Sequence, residues 1–480
     1  MVSSSSDEKE GIMSRGWERL NSLPGKVIKL GQDDPRRVTH SLKVGLAVTL
    51  VSILFYYFEP LYHGFGVSAM WAVLTVVVVF EFSVGATLGK GLNRGLATFT
   101  AGVLGFGGHR LASLFGDKGE QILLALFVFL IAAAVTYLRF FPRMKARYDY
   151  GLLIFILTFS MISVSGYHDD ELLPIAEQRI FTILTGGLTA VAVCIFICPV
   201  WAGDDLHNLV ANNIEKLAIF LEGFGSEYFK IPEDEESLKK VSEEYKSVLT
   251  SKQSEESLAN FARWEPGHGK FKFRHPWKNY LMIGSVTRQC AYKIEALNDC
   301  LHSETQTPQE IRCKIEEASL KLCSESVNTL RELALALRKM IPPKSANEHL
   351  INSKIAAKNL KSLLNTGLCK ETDLLEVIPA ATMACLLVDV VSYNERIAES
   401  IQELASLAKF KSSGKPEVIP AQPNLCPQEI SQQNSCISIP AQQTLCYQRS
   451  MQRNSSINIA PHHVITAQEE SPCSSVDRTS

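Results

Sequence analysis

"QILLALFVFLIAAAVTYL", residues 121–138, decides the fold. It is an uncharged apolar run, and a helix needs roughly 17–25 such residues to cross about 30 Å of hydrocarbon. Five further runs flank it: "LKVGLAVTLVSILFYYF" (42–58), "GFGVSAMWAVLTVVVVF" (64–80), "GLATFTAGVLGFGGHRLASLF" (95–115), "YGLLIFILTFSMISVSGY" (150–167) and "IFTILTGGLTAVAVCIFICPVWA" (180–202). A buried helix of a soluble protein accounts for any one of them. Six between residues 42 and 202 leave little room for that reading, so we expect six transmembrane helices.

The whole-chain averages conceal this pattern. The 480 residues carry a net charge of −2, with 46% apolar and 20% charged residues. Residues 42–202 are overwhelmingly apolar, and 203–480 are polar and charge-rich. Nothing in the charge balance points to nucleic acid as a partner. Residues 1–40 lack the apolar core of a cleaved signal peptide, and their acidic residues set them apart from a transit peptide. The twelve cysteines show no zinc-site spacing, so no metal site is expected and reduced thiols are. There is no phosphate loop, HExxH or nucleophile elbow, and "GFGG" (105–108) lies inside an apolar run. An enzyme is not expected, and no cofactor is implied.

Loop charges set the orientation. The connections after runs two and four hold Lys90, Arg94, Arg139, Arg143, Lys145 and Arg147, while the opposite connections hold Glu59, Asp117, Lys118, Glu120, Asp169, Asp170 and Glu171. The positive-inside rule places the basic loops and both termini in the cytoplasm. Trp71, Tyr56, Tyr57, Tyr148, Tyr150, Tyr167 and Trp201 fall mostly near run ends, as interfacial aromatics do.

Lys90 and Arg94 admit two readings. They can be ordinary cytoplasmic anchors snorkelling at helix ends. On a helix, however, positions four apart share a face. The pairs Gly85/Gly89 and Gly91/Gly95 would let helices approach closely, so that the cations face a cavity rather than lipid. Arg179 adds weight to the second reading. With a helix starting near Leu172 it lies two turns inside the bilayer, where an arginine costs about 2.5–3.5 kcal/mol unless it lines water or meets a partner. Basic rings are how anion pores replace hydration.

"VSAMWAVLTVVVVFEFSVGATLGKGLNRG" (67–95), "RFFPRMKARYDYGLLIFILTFSMISVSG" (139–166), "CPVWAGDDLHNLV" (198–210) and "ANFARWEPGHGKFKFRHPWKNY" (259–280) resemble the plant aluminium-activated malate transporter family. The resemblance spans roughly residues 30–410. It implies an anion channel that is a homodimer, with six membrane helices per subunit and a cytosolic helical domain. It places Lys90, Arg94 and Arg179 at the family's basic pore positions, and Trp264 and Glu265 in a signature that contributes to gating. An aluminium ion would want hard oxygen ligands. Glu59, Asp169, Asp170 and Glu171, with His63 and His168 nearby, are the candidates, although a short acidic outer loop is also simply a solvated loop. Pro174, one turn before Glu177, offers no carboxylate there.

Beyond residue 203 the pattern turns to amphipathic helices. Leu206, Leu209, Val210, Ile214, Leu217, Leu221 and Phe224 recur at three- and four-residue spacing. Acidic "PEDEESLKKVSEEYKSVL" (232–249) suits a helix start, and further helices are expected over about 277–301, 308–340, 346–366 and 373–410. "WEPGHGKFKFRHPW" (264–277) breaks the pattern, as a clasp between helices or a binding segment for a regulatory anion or nucleotide. From about 413 the chain is rich in Pro, Gln and Ser and is expected to be disordered, with a degenerate repeat of residues 419–438 in 439–458.

The expected organisation is a cytosolic segment 1–40, a transmembrane anion-pore domain 41–202, a cytosolic helical domain 203–412 and a tail 413–480. The fold class is an all-α membrane protein. The expected function is a channel for malate and other small anions, surrounded by membrane lipid, in the plasma membrane rather than the vacuolar one. A carrier or proton-coupled exporter of organic acids is the alternative, and a membrane scaffold is a third.

Overall fold

The computed structural model describes residues 25, 29, 31–57, 69–165, 172–229, 244–301, 307–365 and 374–410. Its helices are α1 Pro35–Tyr57, α2 Met70–Val79, α3 Val84–Ala112, α4 Gly116–Leu138, α5 Pro142–Ser165, α6 Leu172–Phe196, α7 Ala202–Phe229, α8 Lys252–Ala262, α9 Trp277–Leu301, α10 Gln309–Lys339, α11 Lys344–Leu363 and α12 Leu374–Ala408. Among the described residues there is no strand, only an isolated bridge between His268 and Phe271. The expected tail and the 419–458 repeat lie outside the described residues.

Helix α6 packs against α1, α2 and α3, and α3 packs in turn against α4 and α5. Small and β-branched side chains fill the seam: Ala47, Val51, Ala72, Val76, Val84, Ala190 and Val193 are buried together. Close approach is real at Gly186, where an added Cβ would strike the Ala72 carbonyl oxygen, and at Gly105, where it would sit 2.9 Å from Ile162. The outward faces are apolar instead of polar. Leu42, Leu46, Leu50, Leu96, Phe99, Val103, Leu126, Phe129, Leu157 and Leu188 are all exposed. Soluble monomers rarely expose contiguous apolar patches beyond a few hundred Å². Lipid is the solvent these helices are built for.

By length and composition, α1, residues 119–138 of α4, residues 177–196 of α6 and residues 376–408 of α12 are each able to cross a membrane. Helix α2 is apolar but covers ten described residues. Helices α3 and α5 are long enough, at 29 and 24 residues, but each carries several charges. Helix α12 owes its hydropathy to another cause. Val377, Ala380, Met383, Ala384, Leu387, Val390, Val391, Ile397, Ile401 and Leu404 are buried in a core shared with α7, α9, α10 and α11. Glu376, Ser392, Arg396, Glu399 and Glu403 occupy its exposed side.

Three boundaries differ from the sequence reading. Helix α3 starts at Val84, not near residue 95, so Lys90 and Arg94 sit within a helix instead of in a connection. Ser83 caps it by accepting the Ala86 N–H, and the glycines that weaken helix propensity are held there by packing. Helix α5 starts at Pro142, a residue favoured at the first helical position, which brings Arg143, Lys145 and Arg147 into its first turns. Helix α6 ends at Phe196, and Cys198 is left-handed (φ 43°) just before Pro199, so Cys194 and Cys198 do not share a helix. The helices expected at 277–301, 308–340, 346–366 and 373–410 appear as α9 to α12 within three residues at each end.

A polar knot lies inside the helical domain. Glu255 of α8 is fully buried, pairs with Arg288 of α9, and accepts from Ser251 (2.7 Å) and from Asn213 of α7 (3.4 Å). Gly284 leaves room for it, since a Cβ there would overlap the carboxylate. Glu255→Ala is expected to cost about 3–5 kcal/mol, because it leaves Arg288, whose side chain is 12% exposed, without its partner. Thermal unfolding of the full-length protein checks this; an unchanged midpoint would show that the knot holds nothing together.

Candidate anion site and its clasp

Two arginines are buried in the helical bundle with no carboxylate paired to them among the described residues. Arg94 on α3 is 4% exposed, and its Nη1 donates to the Tyr150 hydroxyl of α5 at 2.9 Å. Arg179 on α6 is 7% exposed, lies two turns into its helix and stacks on Trp71 of α2, with the guanidinium carbon 3.6 Å from the ring centroid. Its Nη2 lies 2.6 Å from the Met161 sulfur. The Nε of each arginine is buried without a hydrogen bond. Among the described residues neither arginine makes a salt bridge, and each is within Coulombic reach of the other. A phenol, an indole face and a thioether orient these cations and leave their charge intact.

Lys90 differs from them. It is about one-third exposed, pairs with Glu81 in the break between α2 and α3, and lies 5.7 Å from the Tyr150 ring. Its charge is already answered by Glu81. Tyr150 therefore faces both Arg94 and Lys90, one through its hydroxyl and one through its ring. Glu177 is exposed, away from Arg179.

The helix-close-approach reading of two glycine pairs is corrected. A Cβ at Gly85 would collide with the Phe261 carbonyl oxygen, and one at Gly89 would lie 2.9 Å from the Trp264 indole. These two glycines receive the last turn of α8 and the turn that follows it, not another membrane helix. Gly95 has nothing within 4 Å and Gly91 has only Val79 at 3.4 Å. Glycine spacing reports that something approaches the backbone, and it is silent about what.

That turn is a clasp. Glu265, 4% exposed, accepts the N–H groups of Ala202 (2.6 Å) and Gly203 (3.0 Å), where α7 begins and the orphan N–H groups of a helix point outward. The Gly85 N–H at the start of α3 faces the same carboxylate. Burial raises the Glu265 carboxyl above its ordinary value, against the lowering effect of these N–H groups and of His268. The Val84 N–H donates to Val200 O at 2.9 Å, and Lys43 Nζ to Cys198 O at 3.1 Å. The ends of α3, α6, α7 and α8 are thereby tied at one point, Val84 and Gly85, shortly before Lys90 and Arg94 on the same helix.

Behind the clasp, Phe271, His275, Trp277, Tyr280 and His207 form an aromatic cluster. The Tyr280 hydroxyl lies 2.9 Å from His207 Nδ1 and 3.4 Å from His275 Nε2. Burial, with the charges of His207 and His268, pushes His275 down to about 4. A histidine held neutral when folded takes its proton first when unfolded. Stability is therefore complete above the ordinary value of about 6.5 and is lost as pH falls from there towards 4. The melting temperature of the full-length protein is expected to fall between pH 7 and 5, and His275→Gln to flatten that fall. An equal slope in the variant would remove His275 as the cause.

The sequence located the arginines but not their partners. Trp71 and Tyr150 read as interfacial aromatics because they sit near run ends, yet they face Arg179 and Arg94, and Trp201 stacks on His268 at 3.9 Å. Met161 carried no signal at all. The exposed Tyr56, Tyr57 and Tyr148 keep the surface position expected of them. Glu59, His63, His168, Asp169, Asp170 and Glu171, the expected outer-loop ligands, lie outside the described residues.

Residues 28–369 match the family model described as aluminium activated malate transporter. The chain is 53% identical over 404 residues to aluminum-activated malate transporter 2 of Arabidopsis thaliana, covering 83% of this chain and 80% of that one. It is 50% identical over 426 residues to aluminum-activated malate transporter 7 of the same plant, covering 82% and 84%. Aluminum-activated malate transporter 1 of Triticum aestivum is 46% identical over 409 residues, with 82% and 87% covered. With two buried arginines in an all-α membrane bundle and this likeness along most of its length, the chain belongs to the aluminium-activated malate transporter family.

Proposed function

We propose that the protein is a plant anion channel that passes malate and other small anions through a pore lined by Arg94 and Arg179, with Lys90 at its inner mouth. In this reading α1 to α6 are the six spans, and the basic ends of α3 and α5 face the cytosol together with the helical domain 203–412. The active unit is a homodimer in the plasma membrane, and the clasp of Trp264 and Glu265 couples the helical domain to α3. A membrane potential negative inside then drives anions outward. The observation that carries the proposal is the pair of buried guanidinium groups, held by Tyr150, Trp71 and Met161 without a carboxylate. Such cations are costly in a membrane unless an anion or water answers them. The names of the relatives supply malate as the substrate.

Voltage clamp on cells expressing the protein tests this, first with internal malate and then with chloride. A current that scales with surface protein and reverses near the anion equilibrium potential supports a channel.

A proton-coupled exporter is the second reading, and one contact favours it. His109 of α3, 4% exposed, lies 3.3 Å from Glu120 of α4, a titratable pair inside the bundle. Coupling through it would shift the reversal potential with external pH at fixed malate. A channel would show no such shift.

A further inference from the structure

We propose that the connector between α8 and α9 is a second anion site, outside the pore, for a phosphate-bearing ligand. The cavity there encloses about 300 Å³ and is lined by Arg263, Lys272, Arg274 and Lys278, with His268 and His275. Among the described residues none of these four cations is paired with a carboxylate. Glu265 also lines the cavity, but its two oxygens are engaged by the N–H groups of Ala202 and Gly203. Four positive charges therefore surround a space whose single carboxylate is turned towards a helix end.

The backbone is arranged to present them. A tight hairpin, His268 N–H to Phe271 O at 3.0 Å and back at 2.8 Å, turns through Gly269 at φ 50°. Arg274 is left-handed (φ 62°), a conformation that costs an ordinary residue about 1–3 kcal/mol and gathers at functional sites. The hairpin and this turn bring Lys272 and Arg274 to the cavity mouth with Phe273, 68% exposed, between them. Inside, the His268 side chain is 9% exposed and its Nδ1 lies 3.0 Å from the Pro266 carbonyl, to which it donates. His268 Nε2 is buried, makes no hydrogen bond and lies 4.0 Å from Glu265 Oε2.

Clustered Lys and Arg around a concave site recognise phosphate through charge-assisted hydrogen bonds. The same chemistry has two sources here, a soluble phosphate compound or the headgroup of an anionic lipid at the inner leaflet. Phe273, an exposed aromatic between two cations, is placed to enter the interface in the second case. The ligand would sit directly behind the clasp that grips Gly85 and Gly89, so its binding would be felt at the start of α3. That regulatory consequence rests on the channel reading; the binding itself does not.

The test uses the purified full-length protein in detergent micelles and, separately, in nanodiscs. Inorganic phosphate and ATP are the soluble probes, and vesicles of phosphatidylcholine with or without phosphatidylinositol 4,5-bisphosphate are the lipid probe. Lys272→Glu with Arg274→Glu, and independently Arg263→Gln with Lys278→Gln, are expected to weaken binding at least about tenfold with an unchanged melting temperature. Phe273→Ser is expected to weaken vesicle binding alone if the source is lipid, and neither arm if it is soluble. Arg94→Glu is expected to leave ATP and vesicle binding at the parental level, which separates this site from the pore. If no probe binds the parent, or if both double variants bind as tightly as it does, the proposal is overturned.

Discussion

Arg179→Glu is expected to eliminate malate current while protein at the cell surface stays at parental level. A singly charged anionic group about 4 Å from a guanidinium gains about 4 kcal/mol at an effective dielectric of 20. Reversing the charge turns that gain into a comparable penalty, a swing of roughly 8 kcal/mol. Each 1.36 kcal/mol is a factor of ten in rate, so even a quarter of the swing lowers anion passage about thirtyfold. Arg94→Glu is expected to act in the same direction, and Arg179→Lys to retain part of the current because charge survives while the stacked guanidinium plane over Trp71 is lost. Lys90→Gln should be mild, since Glu81 already answers that charge. Whole-cell current normalised to surface-labelled protein decides it. Parental malate current in Arg179→Glu would remove Arg179 from the conduction path.

Helices α1, α4 and α6 were legible as membrane-crossing because hydrocarbon thickness writes itself as run length. The two buried arginines were legible for other reasons: Arg94 stands four residues from Lys90 among glycines, and Arg179 falls two turns into an expected membrane helix, where a cation needs a cause. Partner identity was not, because Trp71, Tyr150 and Met161 are equally at home against lipid or in a packed seam. The start of α3 was misjudged for a different reason. Four glycines and two cations look like a connection, and only tertiary contacts hold them helical: Ser83 at the cap, Phe261 at Gly85 and Trp264 at Gly89. Helices α9 to α12 were placed well since their apolar stripes are interrupted by proline, glycine or polar breaks. What periodicity could not convey is that Glu265, one acidic residue in a broken segment, would join helix ends more than sixty residues apart in sequence.

That junction gives the other large effect. Glu265→Ala leaves the N–H groups of Ala202 and Gly203 buried without an acceptor, at about 1–3 kcal/mol each. Glu265→Gln keeps one oxygen but sets its NH₂ against an N–H, so it should fall between. Loss of current in Glu265→Ala alone would not distinguish a broken coupling from a weakened fold, and the opposite side of the contact does. Gly85→Val drives a Cβ into the Phe261 carbonyl, a backbone atom that cannot swing aside, and against Glu265 Cγ, and so forces the clasp off α3 while the Glu265 carboxylate itself is retained. Gly95→Ala, about three turns further along α3 with nothing within 4 Å, is the control and should conduct as the parent does. If the clasp carries the state of the helical domain to α3, Glu265→Ala and Gly85→Val will share one phenotype. Open probability will be reduced, while the ratio of malate to chloride current, which the channel proposal assigns to Arg94 and Arg179, stays unchanged. Single-channel recording of surface-confirmed variants reads both quantities. Parental open probability in Gly85→Val would mean that the contact is a strut and not a coupling.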